Sequence, residues 1–214
     1  MQYRNSSAYM PTDKGTLSVN GVSYIEVNAD TVRLNVKITT ESKSLEEAQN
    51  KNKTISNNLL TSLLDFGISK ENIHSEDMSV FRNYDYTNNA LISYNVTQLV
   101  TILISDLSKF KDVYELVIEN GANDDINIDF ILSNPYYYYS KALKKASQDA
   151  INKAAIIAKN FSLKYNPIPA NVNEVSSLLY SITYSSSNNY SPDVSPGLVK
   201  VTAEIDAVFT TYPY

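Results

Sequence analysis

Apolar side chains fall at every second position between residues 31 and 42. Val32, Leu34, Val36 and Ile38 alternate with Arg33, Asn35 and Lys37, the period of a strand with one face buried. The preceding stretch, TLSVNGVSYIEV, also reads as a strand, with Gly15 and Gly21 placed at its ends. At Ser44 the period lengthens to three and four. Leu45, Ala48, Ile55, Leu59, Leu63 and Phe66 predict an amphipathic helix, opened by a Ser44/Glu47 capping box and closed by Gly67. NIHSEDMSVFRNYDY and ALISYNVTQLVTILISD follow as strands around a TNN turn. The second carries Tyr94, Val96, Val100, Ile102 and Ile104 on one face and Leu99 and Leu103 on the other, as a central strand does. Asp106 then caps a helix with Leu107, Phe110, Val113 and Val117 inward and Gly121 after it, and INIDFIL is a strand.

The longest periodic segment is NPYYYYSKALKKASQDAINKAAIIAKNF. Tyr139, Ala142, Leu143, Ala146, Ala150, Ala154, Ile157, Ala158 and Phe161 form its apolar stripe, and Lys141, Lys144, Lys145, Gln148 and Asn152 its outer face. The phase divides the four tyrosines: Tyr139 in the core, Tyr136 at the stripe's edge, Tyr137 outward and Tyr138 between. NPIP is expected to break the helix. A strand in ANVNEVSSLLYSI, a Ser/Asn/Tyr-rich loop and a final alternating strand, LVKVTAEIDAVFTT, complete the chain. The predicted class is α+β with largely antiparallel sheet, three helices and the order ββαββαβαββ, containing a ferredoxin-like βαββαβ unit. Residues 1–14 are expected to be a tail, 15–211 one domain, bilobed at most, and 212–214 a second tail.

Charge and composition remove several function classes. A net charge of −5 with no run of Lys or Arg argues against a nucleic-acid partner. With no Cys and His74 as the single histidine, thiolate and histidine-cluster metal sites are excluded, and no cofactor or metal is expected. Glu76/Asp77, Asp124/Asp125/Asp129 and Glu204/Asp206 read as turns and strand edges rather than acid–base pairs. No nucleophile, metalloprotease or phosphate-loop motif is present, so the chain is expected not to be an enzyme. The N-terminus lacks an apolar signal region and no segment is long enough to span a bilayer. The expectation is a cytoplasmic protein, with the cell surface or an extracytoplasmic compartment as the alternative if a signal was removed or export is non-classical.

Seventeen tyrosines and no tryptophan are the chain's strongest skew. Tyrosine covers much area for little lost rotamer freedom, which suits interfaces. Tyr3, Tyr9, Tyr137, Tyr138, Tyr184, Tyr190, Tyr212 and Tyr214 are therefore the candidate interface. Arg82, Tyr84 and Tyr86, with the 180–196 loop, are the candidate cleft for a ligand.

In order and spacing, five segments together resemble the SIMPL-domain family over about Gly15 to Thr211. They are SVNGVSYIEVNADTVRLNVKI, the helix SLEEAQNKNKTISNNLLTSLLDFGI, the strand–helix–strand run SYNVTQLVTILISDLSKFKDVYELVIENGANDDINIDFILSN, the KALKKASQDAINKAAIIAK helix and the terminal SPGLVKVTAEIDAVF strand. Ala29 stands where the family usually has proline. The resemblance implies kinship with bacterial periplasmic immunogenic proteins, ring- or channel-like homo-oligomers and a link to stress tolerance.

Overall fold

The computed structural model describes residues 14–122, 125–175, 180–183 and 197–212. Its elements are β1 (Gly15–Asn28), β2 (Thr31–Ser42), α1 (Leu45–Phe66), β3 (Ile73–Ser75), β4 (Ser79–Asp85), β5 (Ala90–Ile104), α2 (Phe110–Glu119), β6 (Ile126–Ile131), α3 (Pro135–Asn160), β7 (Lys164–Tyr165), β8 (Asn171–Glu174), β9 (Tyr180–Thr183) and β10 (Leu198–Tyr212). The class is α+β with three helices and antiparallel sheets, in the order read from the sequence. One expected strand is split into β3 and β4, and short strands β7, β8 and β9 follow α3. The chain divides into two compact units: β2 to β6 with α1 and α2, and residues 15–27 of β1 with α3, β7, β8, β9 and β10 from residue 199.

In the first of these units β2 is central. It pairs with β6 on one side and with β5 on the other, in register from Val32↔Ile104 to Ser42↔Tyr94. Its alternation buries Val32, Leu34, Val36 and Ile38 completely. Leu59 and Leu63 of α1, which packs on β2 and β5, are buried as well, as are Phe110, Val113 and Val117 of α2. The far side of β5 is taken by β4 and then β3. Ser44 caps α1 by accepting from the Glu47 amide at 3.4 Å. The return arm runs through Ser42, whose hydroxyl donates to Glu47 at 2.7 Å and accepts from the Ser44 amide at 3.1 Å. Beyond α1, Gly67 adopts φ +98°, the left-handed value that closes the helix.

Among the described residues of this unit Thr31, Thr40, Asn52 and Ser93 are buried polar residues, and Asn52 is the most deeply placed. Asn52 is fully buried on the stripe of α1, and its amide donates to the carbonyls of Ile38 (2.9 Å) and Val96 (3.0 Å). It ties the helix to both central strands, as a buried amide must be tied to be tolerated.

In the other unit β10 is central, with β1 on one side and β7, β8 and β9 on the other. The alanine stripe of α3 packs on this sheet, Ala150 and Ala154 meeting Val19, Ile205, Ala207 and Phe209. Small side chains let the helix come down onto the strands, and Gly21 marks the tightest approach. A Cβ there would lie 2.8 Å from the Ala150 Cβ and closer still to the Ala146 carbonyl oxygen. Gly21 therefore lies inside β1, where helix and strand backbones nearly touch, and not at the strand's end.

Three further expectations about α3 are corrected. The helix stops at Asn160, well before NPIP, because Ser162 turns to φ +53° and the Leu163 amide folds back to the Ala158 carbonyl at 2.8 Å. Phe161 beyond that stop is 73% exposed, off the stripe, and Tyr136 is exposed and not at the stripe's edge.

Candidate functional site

The feature least explained by folding alone is the ribbon made by β4 and the start of β5. Its pairs are Val80↔Val96, Arg82↔Tyr94 and Tyr84↔Leu91, with an irregularity at Asn83/Tyr84 that leaves Ile92 as the extra residue. The β2 ladder ends at Tyr94, so among the described residues the ribbon's tip has only its own two strands. Asp85 closes the turn by accepting from the Asn88 side chain (2.7 Å) and from the Thr87 and Asn88 amides (2.9 and 3.3 Å). The Asn88 side chain first, then those amides, hold its carboxyl below the usual carboxylate range.

This well-formed ribbon carries apolar side chains into solvent. Phe81 is 70% exposed and Tyr86 92%, and Val80, Tyr84, Leu91 and Ile92 are also exposed. A two-stranded ribbon is marginal without a partner for its faces. The outer edge of β4 has no paired strand among the described residues. An open edge flanked by exposed aromatics is a surface suited to association. Apolar residues on both faces of β4 and of the start of β5 leave no clean alternation, so the sequence pattern does not single out Val80, Phe81, Leu91 and Ile92 as exposed.

Arg82, Tyr84 and Tyr86 all lie on this ribbon and all are exposed. The 184–196 part of the loop expected to face them falls outside the described residues, as do Tyr3, Tyr9, Tyr184, Tyr190 and Tyr214. Tyr137 and Tyr138 stack edge-to-face on α3, ring centroids 5.1 Å apart, and Lys141 Nζ sits 4.1 Å above the Tyr137 ring. Tyr212 is partly exposed near Lys14.

Of the candidate carboxylates Asp129, Glu204 and Asp206 are engaged on strand faces, and Asp124 lies outside the described residues. Asp129 accepts from Arg33 Nε and Nη2 at 3.1 and 2.9 Å, and Asn20 bridges Glu204 and Asp206 at 2.9 Å each. His74 is exposed on β3, opposite Thr101. Among the described residues no three or more His, Cys, Asp or Glu gather as a metal site.

A family model, SIMPL, described as a protein of unknown function (DUF541), matches residues 17–209. The chain belongs to the SIMPL family. This SIMPL protein is 26% identical over 147 residues to the uncharacterized protein YggE of Escherichia coli K12, across 68% of this chain and 55% of that one. To the 26 kDa periplasmic immunogenic protein of Brucella melitensis it is 20% identical over 156 residues, across 70% of this chain and 62% of that one. The chain thus matches less than two thirds of the length of either relative. The Brucella relative's periplasmic description overturns the cytoplasmic expectation. Among the described residues no helix is long and apolar enough to cross a membrane.

Proposed function

We propose that this SIMPL protein is a non-enzymatic assembly module of an extracytoplasmic compartment, whose copies associate through the β4 edge. One observation carries the reading: among the described residues β4 pairs with β5 alone, and this edge strand and the turn after it present Phe81, Tyr84 and Tyr86 to solvent. Two β4 edges paired antiparallel about Asn83 and Tyr84 set Arg82 of one copy against Asp85 of the other, and Phe81 against Tyr86. Opposite charges and aromatic pairs across neighbouring strands both favour such pairing. Tyr137 and Tyr212 extend the set of exposed aromatic rings available to further contacts. The periplasmic name of the Brucella relative supports the extracytoplasmic setting.

The test is sedimentation equilibrium on the wild-type chain and on Phe81→Lys. Placing a charge at the exposed ring's position is expected to weaken association about tenfold or more, with no change in melting temperature. Identical association constants would sink the β4 assignment.

A further inference from the structure

We propose that the free edge of β1, beside the lysine flank of α3, is a docking groove for an extended acidic peptide that adds to the sheet as a strand. β1 is a terminal strand of its sheet, and among the described residues α3 hydrogen-bonds to its outer edge at one place. There Asp149 accepts from the Val22 amide at 3.0 Å, Lys153 donates to the Asn20 carbonyl at 2.9 Å, and the two side chains pair at 2.7 Å. Backbone groups along a strand alternate sides, so Tyr24 and Glu26 turn theirs to that same edge. Among the described residues nothing outside the strand ladder engages these backbone groups, although the Tyr24 ring lies under Lys200 Nζ.

Beside this open segment lies a cavity of about 650 Å³ between strand and helix. Ile25 and Val27 form its apolar floor, and Tyr138, Lys141, Lys144 and Lys145 of α3 line its other wall. Glu26 is the single acid among the lining residues, so three lysines give the groove a positive balance in a chain whose net charge is −5. Lys141 is held over the Tyr137 ring, whereas Lys144 and Lys145 have no acidic partner among the described residues. An edge strand beside a helix is the geometry in which peptides bind by strand addition: the strand supplies main-chain bonds and the groove reads alternate side chains.

The two faces of the added strand meet different surroundings, which sets the peptide's pattern. Side chains turned toward α3 lie over Ile25 and Val27 and end at the ammonium groups, so acids with a short apolar stem fit there. Side chains turned the other way run beside Val22 and Tyr24, which are 42% and 50% exposed, with Lys200 Nζ 4.0 Å over the Tyr24 ring, so apolar residues fit against the Val22 side chain and the ring's edge. The Asp149–Lys153 pair ends the available edge at Val22.

The probe is a fluorescein-labelled, end-blocked heptapeptide of alternating valine and glutamate, titrated into the full chain at fixed ionic strength. Its companions are the valine–lysine counterpart and a valine–glutamate version N-methylated at two adjacent central residues, which in either register loses a central ladder donor and places a methyl group against the strand edge. The acidic peptide alone is expected to bind and to slow amide exchange at Tyr24 and Glu26. Lys144→Glu with Lys145→Glu, both at exposed positions, is expected to weaken binding about tenfold with melting temperature unchanged. The charge-neutral pair Lys144→Gln with Lys145→Gln is expected to give a smaller loss in the same direction. The proposal is overturned if the N-methylated or the lysine peptide binds as well, or if exchange at Tyr24 and Glu26 does not slow. It is equally overturned if inorganic phosphate displaces the peptide at matched ionic strength, which would make the groove a small-anion site, or if no peptide binds.

Discussion

Replacing Tyr139 by alanine should be far more damaging than replacing Tyr137, although the two are separated by one residue of the same helix turn. Tyr139 is 4% exposed, and its hydroxyl donates to the Glu174 carboxylate of β8. Losing a buried aromatic ring costs about 3–5 kcal/mol. The hydroxyl's share, isolated by Tyr139→Phe, is about 1 kcal/mol, because Glu174 is exposed and water can take over part of the bond. Alanine's better helix propensity returns only about 0.5 kcal/mol. Tyr137 is half exposed and gives up one edge-to-face contact with Tyr138 and the Lys141 ammonium above its ring. At an exposed site these are worth less than about 1 kcal/mol. At about 2–4 °C per kcal/mol for a chain of this size, Tyr139→Ala should melt roughly 10 °C below wild type and Tyr137→Ala within about 3 °C. Circular dichroism melts of the three variants decide it. Equal melting temperatures for Tyr137→Ala and Tyr139→Ala would show that the helical phase is misassigned.

Asn52→Ala removes two buried donors and should lower stability in urea by about 2–3 kcal/mol, while a loss under about 0.5 kcal/mol would mean that the Ile38 and Val96 carbonyls do not depend on it. Gly21→Ala must push α3 away from β1 and should cost about 3 kcal/mol; an unchanged melt would contradict the close backbone approach. Acid should open the plug on the β1 edge. Lys153, then the Val22 amide, lower the Asp149 carboxyl below its ordinary 3.8, so its contribution is complete above that pH and disappears as pH falls through the lower folded value. Exchange protection of the Val22 amide, corrected for intrinsic rate, should follow that loss, whereas protection that is flat with pH would remove Asp149 from the plug.

What the sequence made legible was the orientation of each element about its own axis. The alternation of Val32 to Ile38 gave the face of β2, and the spacing of Ala142, Ala146, Ala150, Ala154 and Ala158 gave the face of α3, because burial acts on every turn or pleat alike. What it hid was set by the partner across the interface. Gly21 looks like punctuation until α3 is laid on it. Asn52 looks like a surface amide, although it falls in step with Ala48 and Leu59, because its acceptors lie on strands 14 and 44 residues away. The end of α3 was assigned to proline but belongs to Ser162, whose left-handed turn carries no strong compositional signal. The strands and turn of the ribbon are legible, but the exposure of Val80, Phe81, Leu91 and Ile92 is not, because apolar residues on both faces leave no phase to read. Its tyrosines had been assigned to a cleft whose other wall lies largely outside the described residues.

Assembly through open, aromatic-bearing edges is the central claim, and the molar mass of the wild-type chain in solution tests it most directly. Light scattering on a size-exclusion column, run across a concentration series, should give a mass that is a multiple of 23.9 kDa and falls toward one copy in Phe81→Lys. A mass of 23.9 kDa at every concentration would contradict it.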